Sequence, residues 1–417
     1  MGSASSKPTD PPPNQPNPLT AREIAATEAL HAELRAVRKA TTAAPPVPTD
    51  IPVDAPMASA GEEYVFHPNP LPVDAEGYAE ALPVTETVAI AARFAELGVV
   101  VVGGCLDADE AAASVDAVWD LLERHSPPIE PRLDRHKPET WVTANWPALS
   151  KLGILGDTIA LHPALFRNRV NARVVDAFAA ILGTRDMWLN IGRVSAMRPT
   201  RDVPLPVSIF DPAREVDAAA LAEAPRVTDA LGRECLLIDM DEWRTVEGWL
   251  HLDFNPKTGE ATGFSWRTIE PAANVWDAAD ANVKLQGVLA LKDCSVHDGG
   301  FHCVPGVAPH IRAWAAANGD ALATQPMPGD TTVQIPKDDP MRAAIQRVGL
   351  RAGSLVIWSS ATPHGTYPNT SPDMRIIQYI KATRRDQRYW RPLYTPDDVL
   401  PPDWSPTHDE AALLFHP

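Results

Sequence analysis

The sequence predicts a mainly β fold with flanking helices, built on a jelly-roll core of the double-stranded β-helix kind. Three observations point there. Short apolar runs at 284–292, 355–358 and 376–380 are bounded by Gly and Pro turn signals. The residues that carry chemistry, His251 and Asp253 on one side and His364 on the other, lie far apart in the chain, and returning strands are what bring such residues together. The 417 residues include 43 prolines, about twice average usage, which favours turns and loops over long helices.

Hydrophobic content of 45% is enough to build a core. The formal net charge of −17 disfavours nucleic acid and anionic membrane surfaces as partners, since both repel an acidic body. Cys105, Cys235, Cys294 and Cys303 form no closely spaced pair and read as reduced, partly buried thiols of an intracellular protein. No apolar run reaches the length of a membrane span, and no secretory leader is expected.

In chain order, residues 1–19 are Ser, Pro, Asn and Thr with few apolar side chains and are expected to be disordered. The start, with Gly2, Ser6 and Lys7, fits the N-myristoylation pattern. One acyl chain holds a membrane only marginally. The expectation is therefore a cytoplasmic protein with weak, lipid-anchored contact at most. Residues 20–40 read as a helix capped by Thr20, with Glu23 three on and a stripe of Ile24, Leu30, Leu34 and Val37. A Pro-rich linker covers 41–56. The expected organisation is a tail with one helix over 1–56, a jelly-roll domain over 57–386, and a C-terminal extension over 387–417 packed on the body without regular structure.

Within the body, 85–97 reads as a helix stopped by Gly98, 99–102 as a strand, and 108–125 as a helix capped by Asp107. Residues 127–147 form a polar loop with His136, Trp141 and Trp146, whose indoles fit a small local core better than a roof over a site. A helix is expected over 168–182. One strand is expected over 188–195, with Leu189, Ile191 and Arg193 on one face. Residues 202–233 are an excursion with a short helix at 218–223, and 235–238 a short strand. Residues 255–282 hold Trp266 and Trp276 and read as a substrate-determining insert. Short helices are expected over 309–319 and over 340–348, the second capped by Asp339.

The chemistry centres on His251 and Asp253. Side chains two apart on a strand point to the same face, so an imidazole and a carboxylate aim at one point. A hydrogen-bonded surface pair has the same spacing, and what sets this one apart is the ordered set that follows. His364 supplies a third ligand, and two His and one carboxylate on one face of a metal make the facial triad of non-haem Fe(II) oxygenases. Arg375, eleven residues after His364 and at the head of an apolar strand, offers the planar fork that clamps a carboxylate. Arg193 is a further cation for an anionic cosubstrate or substrate, or a rim salt bridge. Cys294, His297, His302 and Cys303 could be assembled into a zinc site on paper, but His302 and Cys303 are adjacent and would point to opposite faces of a strand.

Three stretches, "GWLHLDFNP", "LQGVLALKDCSVHDGGFHCVPG" and "GSLVIWSSATPHGTYPNTSPDMRIIQYI", in this order, resemble the phytanoyl-CoA dioxygenase-like family of Fe(II)/2-oxoglutarate oxygenases. The resemblance is strongest over 249–380 and extends more weakly back to about residue 85. It implies His251, Asp253 and His364 as iron ligands, Arg375 as the 2-oxoglutarate clamp, and Thr366 as a hydroxyl donor to the same carboxylate. It also implies hydroxylation of a small organic substrate with dioxygen, release of succinate and CO2, and ascorbate as a candidate reductant. Leu252 departs from family members that carry a polar side chain there. Two other readings fit parts of the pattern: a non-catalytic jelly-roll binding or scaffold protein, and a cupin-type metalloenzyme that does not use 2-oxoglutarate. The intact ligand set argues against the first and Arg375 against the second.

Overall fold

Side chains along the central strands alternate between two buried cores, and that alternation sets the layers. Val100 and Val102 pack under helices, while Val99 and Val101 face a second sheet. The same split runs through Leu289 against Val288, Ile357 against Val356, and Ile376 against Ile377. Strands buried on both faces read as continuous apolar runs, as these do. The protein is seen in a computed structural model that describes residues 69–147, 152–155, 160–210, 218–253, 267–268, 285–319, 332–387 and 390–416. The expected tail, helix and linker over 1–56 lie outside the described residues, as does nearly all of the 255–282 insert.

The chain opens with β1 (Leu82–Pro83), α1 (Thr87–Leu97), β2 (Val99–Gly103) and α2 (Ala108–His125). Gly98 closes α1 in the left-handed conformation, its N–H donating to Phe94 O at 2.8 Å. Asp107 and Glu110 form the reciprocal capping box of α2. Next come β3 (Ile154–Leu155), α3 (Pro163–Val170), α4 (Ala172–Leu182), β4 (Met187–Leu189) and β5 (Val194–Met197). An excursion follows with β6 (Val203–Pro206), α5 (Ala218–Glu223), β7 (Arg226–Thr228) and β8 (Glu234–Ile238), its strands pairing among themselves. The later elements are β9 (His251–Leu252), β10 (Arg267–Thr268), β11 (Leu285–Ala290), β12 (Gly300–Cys303), α6 (Ile311–Ala317) and β13 (Val333–Gln334). Then come β14 (Gln346–Arg347), β15 (Leu355–Ser359), β16 (His364–Tyr367), β17 (Arg375–Arg384), β18 (Trp390–Arg391), α7 (Pro396–Val399) and α8 (His408–Leu414).

Among the described residues the larger sheet runs β1-β2-β15-β11-β17-β5-β3, with β4 also on β17, and the smaller runs β13-β9-β16-β12-β14. Their facing sides share the core of Val99, Val288, Val356, Trp358, Ile377, Phe301 and Cys303. This is the expected double-stranded β-helix. The other face of the larger sheet is covered by α1 to α4 through Ile90, Leu121, Phe166 and Phe178.

Four local expectations need correction. The helix expected over 168–182 is two helices, because Asn171 leaves helical geometry and its side chain accepts from Arg173 N–H to cap α4. The strand expected over 188–195 is broken between β4 and β5, where the Asn190 side chain takes over a ladder bond by accepting from Lys381 N–H at 2.6 Å. The helix expected over 340–348 is only a 3-10 turn, Pro340–Ala344, since Gln346 and Arg347 pair with Cys303 and His302 as β14. The C-terminal extension contains α7 and α8, each started by a capping box, Thr395 with Asp398 and Thr407 with Glu410. Trp141 and Trp146 do form a local core, with Trp119 at 5.2 and 6.4 Å between ring centroids.

Candidate active site

Two histidines that are distant in sequence meet because β9 and β16 are neighbours in the smaller sheet, with His251 and His364 directly opposite. Side chains opposite each other on an antiparallel pair start about 5 Å apart, and the two imidazole centroids lie at 4.5 Å. Leu252 turns the other way, into the apolar cluster of Leu250, Val304, Trp314 and Val333. Asp253 then returns to the histidine side. Its Oδ1 lies 3.5 Å from His251 Nε2 and its Oδ2 3.7 Å from His364 Nε2. All three potential ligand atoms fall within 4.8 Å of one another. Two cis donors sharing one ion, each roughly 2.1 Å from it, sit about 3 Å apart. The cluster is close to that spacing.

The remaining ring nitrogens fix which lone pair faces inward. His251 Nδ1 lies 3.0 Å from Trp249 O, and His364 Nδ1 lies 2.9 Å from Thr362 O. A carbonyl only accepts, so each Nδ1 carries the hydrogen and each Nε2 presents its lone pair to the shared point. Gln286, on β11, donates from Nε2 to Asp253 Oδ2 at 2.8 Å and orients the carboxylate. Burial pushes the His364 imidazole down to about 3, with His251 adding to the effect, so the ring is neutral near pH 7. Burial pushes the Asp253 carboxyl up, but in acid the protonated His251, through its Nε2 hydrogen and its charge, and the charges of His364 and Lys381 outweigh it and hold it well below its ordinary value. Deprotonated carboxylate and neutral imidazoles are the forms that bind a metal. Phe301 and Trp358 wall the His364 ring at 6.2 and 5.2 Å.

Arg375 enters from the opposite sheet. It heads β17, is 2% exposed, and Nη1 has no hydrogen-bond partner among the described residues. Its guanidinium lies against Gly300 of β12, where a Cβ would sit 2.1 Å from Nε. Gly300, at φ +105°, therefore makes the room for this cation between the sheets. A buried guanidinium with an idle N–H is a site prepared for an anion. Thr366, two residues after His364, is half-buried on the same face of β16 and accepts from Trp249 Nε1 at 3.2 Å.

Arg193 is half-buried and lies in the break between β4 and β5, its carbonyl accepting from Tyr379 N–H at 2.9 Å. That register sets it opposite Tyr379, four residues along β17 from Arg375 and about 13 Å away at strand rise. His251, Asp253 and His364 are thus brought together, Thr366 shares the face of β16 with His364, and Arg375 lies between the sheets against Gly300, while the backbone of Arg193 sits on the neighbouring strand, four residues along from that of Arg375. The paper zinc site does not assemble: Cys294 and Cys303 are free and buried, and His251, Asp253 and His364 are the potential metal group among the described residues. Gln286 and Trp249 carry no role foreseen from the sequence. The signal for Gln286 was present as a lone polar side chain in an apolar strand, whereas the contacts of Trp249 are visible only once β9 and β16 pair.

The sequence model described as Phytanoyl-CoA dioxygenase (PhyH) matches residues 94–377. The chain belongs to the phytanoyl-CoA dioxygenase family. A Dictyostelium discoideum protein named "Putative phytanoyl-CoA dioxygenase" is 21% identical over 308 residues, covering 69% of this chain and 73% of that protein. Among solved structures, the epimerase SnoN in complex with Fe3+, alpha ketoglutarate and nogalamycin RO aligns with a TM-score of 0.41 and 17% identity, over 77% of this chain and 93% of SnoN. EctD from S. alaskensis, solved with 2-oxoglutarate and 5-hydroxyectoine, aligns with a TM-score of 0.43 and 12% identity, over 84% and 94%. Family membership and the convergent ligand set together make this chain an Fe(II)- and 2-oxoglutarate-dependent oxygenase. The donor set fits a metal that takes mixed imidazole and carboxylate ligands on one face, and the idle Arg375 Nη1 fits the far carboxylate of the cosubstrate.

Proposed function

We propose that this oxygenase hydroxylates a small organic substrate, with His251, Asp253 and His364 holding iron and Arg375 and Thr366 holding 2-oxoglutarate. What supports the reading is a three-ligand cluster on the smaller sheet together with a buried, under-bonded guanidinium on the facing one. The chemistry that iron and cosubstrate supply when bound is oxidation of an unactivated C–H bond by dioxygen, coupled to conversion of 2-oxoglutarate to succinate and CO2.

The chain's own contribution is binding, orientation and shielding. His251 and His364 offer fixed lone pairs because their Nδ1 hydrogens are held by backbone carbonyls. Asp253 keeps its charge at neutral pH and fills the third protein position, which favours oxygen transfer over halide transfer, since a halide needs that position vacant. Arg375 holds the cosubstrate by charge-assisted hydrogen bonds in a site that excludes water. Phe301 and Trp358 keep one side of the His364 ring dry. Arg193 belongs in this reading to the substrate side, together with the 255–282 insert. Ascorbate as a reductant and acylation of Gly2 complete the proposal, the latter read by the mass of the chain co-expressed with an N-myristoyltransferase.

The test is succinate formation by the full chain reconstituted with Fe(II) under air, with and without candidate substrates. Asp253→Ala and His364→Ala abolish iron-dependent succinate release. Arg375→Leu leaves it detectable only at a 2-oxoglutarate requirement at least about tenfold higher, as expected for loss of a charge-assisted contact. Full turnover by the Asp253→Ala protein overturns the assignment.

A further inference from the structure

One residue touches both the metal half and the cosubstrate half of the cup. Trp249 immediately precedes the β9 approach and is half-buried. Its carbonyl oxygen lies 3.0 Å from His251 Nδ1. Its indole stacks on the His251 imidazole, with centroids 4.5 Å apart and planes 9° from parallel. Its Nε1 donates to Thr366 Oγ1 at 3.2 Å across a sequence gap of 117 residues.

We propose that Trp249 is a positioning residue that couples the two halves: one indole fixes the plane of the metal ligand His251 and the direction of the Thr366 hydroxyl. This rests on the oxygenase reading above and goes beyond it in assigning the link between metal and cosubstrate to a residue that contacts neither.

Donor and acceptor counts fix the direction of each hydrogen. An indole N–H only donates, while a threonine hydroxyl has one hydrogen and two lone pairs. With one lone pair taken by Trp249, the Thr366 hydrogen must turn away from the indole. Thr366 shares the face of β16 with His364, so its hydrogen is left for an acceptor on the cavity side. Rotation of the His251 ring is limited twice, by the carbonyl at Nδ1 and by the stacked indole. The carbonyl contact survives any substitution at 249, so the part played by the side chain is separable. Gly365 permits the close approach: a Cβ there would lie 2.9 Å from Trp249 O.

Calorimetry on the full-length chain tests this, with Mn(II) as a redox-silent probe of the metal site and 2-oxoglutarate then added to the Mn(II)-loaded protein. Trp249→Phe keeps a ring over His251 but removes the donor. Its Mn(II) affinity stays within about twofold while its 2-oxoglutarate Kd rises about fivefold, the size expected for one neutral hydrogen bond. Thr366→Val raises that Kd at least as far, and Trp249→Phe adds nothing in the Thr366→Val background, since both remove one contact. Trp249→Ala also loses the stack and weakens Mn(II) binding by about fivefold or more. Thermal melts of each variant report folding, and Trp249→Phe and Thr366→Val serve as the decisive pair if Trp249→Ala does not fold. Wild-type affinity for 2-oxoglutarate in Trp249→Phe, or an undiminished effect of Trp249→Phe in the Thr366→Val background, overturns the coupling while leaving the oxygenase reading intact. A wild-type chain that takes up Mn(II) but never 2-oxoglutarate overturns the oxygenase reading and the coupling with it.

Discussion

Gly300 decides whether Arg375 has a place to sit. Its φ of +105° is a conformation that L side chains rarely adopt, and a Cβ would fall far inside van der Waals contact with the guanidinium, 2.1 Å from Nε and 2.3 Å from Cζ. A Gly300→Ala chain must therefore shift the strand, the arginine or both. Strain of this kind costs about 1 to 3 kcal/mol, which a urea melt reads directly. The sharper consequence is functional. The 2-oxoglutarate Kd of the Mn(II)-loaded variant rises by about tenfold or more as the clamp loses its alignment. Mn(II) affinity itself stays near wild type, because no metal ligand touches Gly300. Equal loss of both affinities would mean that the two halves of the cup do not depend on separate supports. In sequence, the adjacent Gly299 and Gly300 mark a turn and nothing more. That one of them is the floor under a cation placed by a different sheet was not legible, since it depends on the packing of β12 against β17.

At the scale of elements, the buried network beneath the helices ties the site-bearing strand to the helical layer. Asn168 in α3 donates to Ser114 Oγ in α2 at 2.8 Å and to Gln378 Oε1 in β17 at 2.9 Å, and Gln378 Nε2 donates to Leu165 O at 2.8 Å. Asn168→Ala leaves two buried acceptors short of a donor, at a cost of roughly 2 to 4 kcal/mol in a urea melt. Succinate release per folded molecule is expected to hold, because Gln378 faces the helices and Arg375 the cavity. Elements with local signals were read well: the Gly98 stop and the Asp107–Glu110 box set α1, β2 and α2 where expected. Elements decided by distant partners were not. Asn190 breaks a run of apparent strand by capping Lys381 N–H, and Gln346 and Arg347 become β14 because β12 lies alongside. In the C-terminal extension the signals were local and present, but the surrounding prolines hid Thr395 with Asp398 and Thr407 with Glu410. The three iron-site candidates were legible for a different reason. Their identities and order suffice to suggest a metal, while the distances among them await the pairing of β9 with β16.

For the molecule as a whole, the site sets how stability responds to acid. Burial pushes His302 down to about 4, with Arg347 adding to the effect, and His364 down to about 3. In the unfolded chain both titrate near the ordinary histidine value of about 6.5. Below that value the unfolded state binds protons that the folded state refuses, so stability is full above about pH 6.5 and falls as the pH drops toward the folded values. The limiting slope is about 1.4 kcal/mol per pH unit for each histidine. Asp253, held well below its ordinary value, extends the loss to still lower pH. The metal-free chain should therefore lose stability steadily from about pH 6.5 down to about pH 4, and urea melts at several pH values measure the slope. His302 packs flat against Tyr367, with ring centroids at 5.9 Å and 9° between planes, and its Nε2 has no partner among the described residues. His302→Phe keeps the aromatic contact, deletes one titrating group, and should reduce the slope by about one proton's worth. Saturating Mn(II) should raise the melting temperature at neutral pH, because the metal binds the folded chain alone. The same addition should do progressively less as acid protonates the ligands it needs. A slope unchanged by His302→Phe would show that the acid response lies elsewhere than in the histidines buried around β12 and β16.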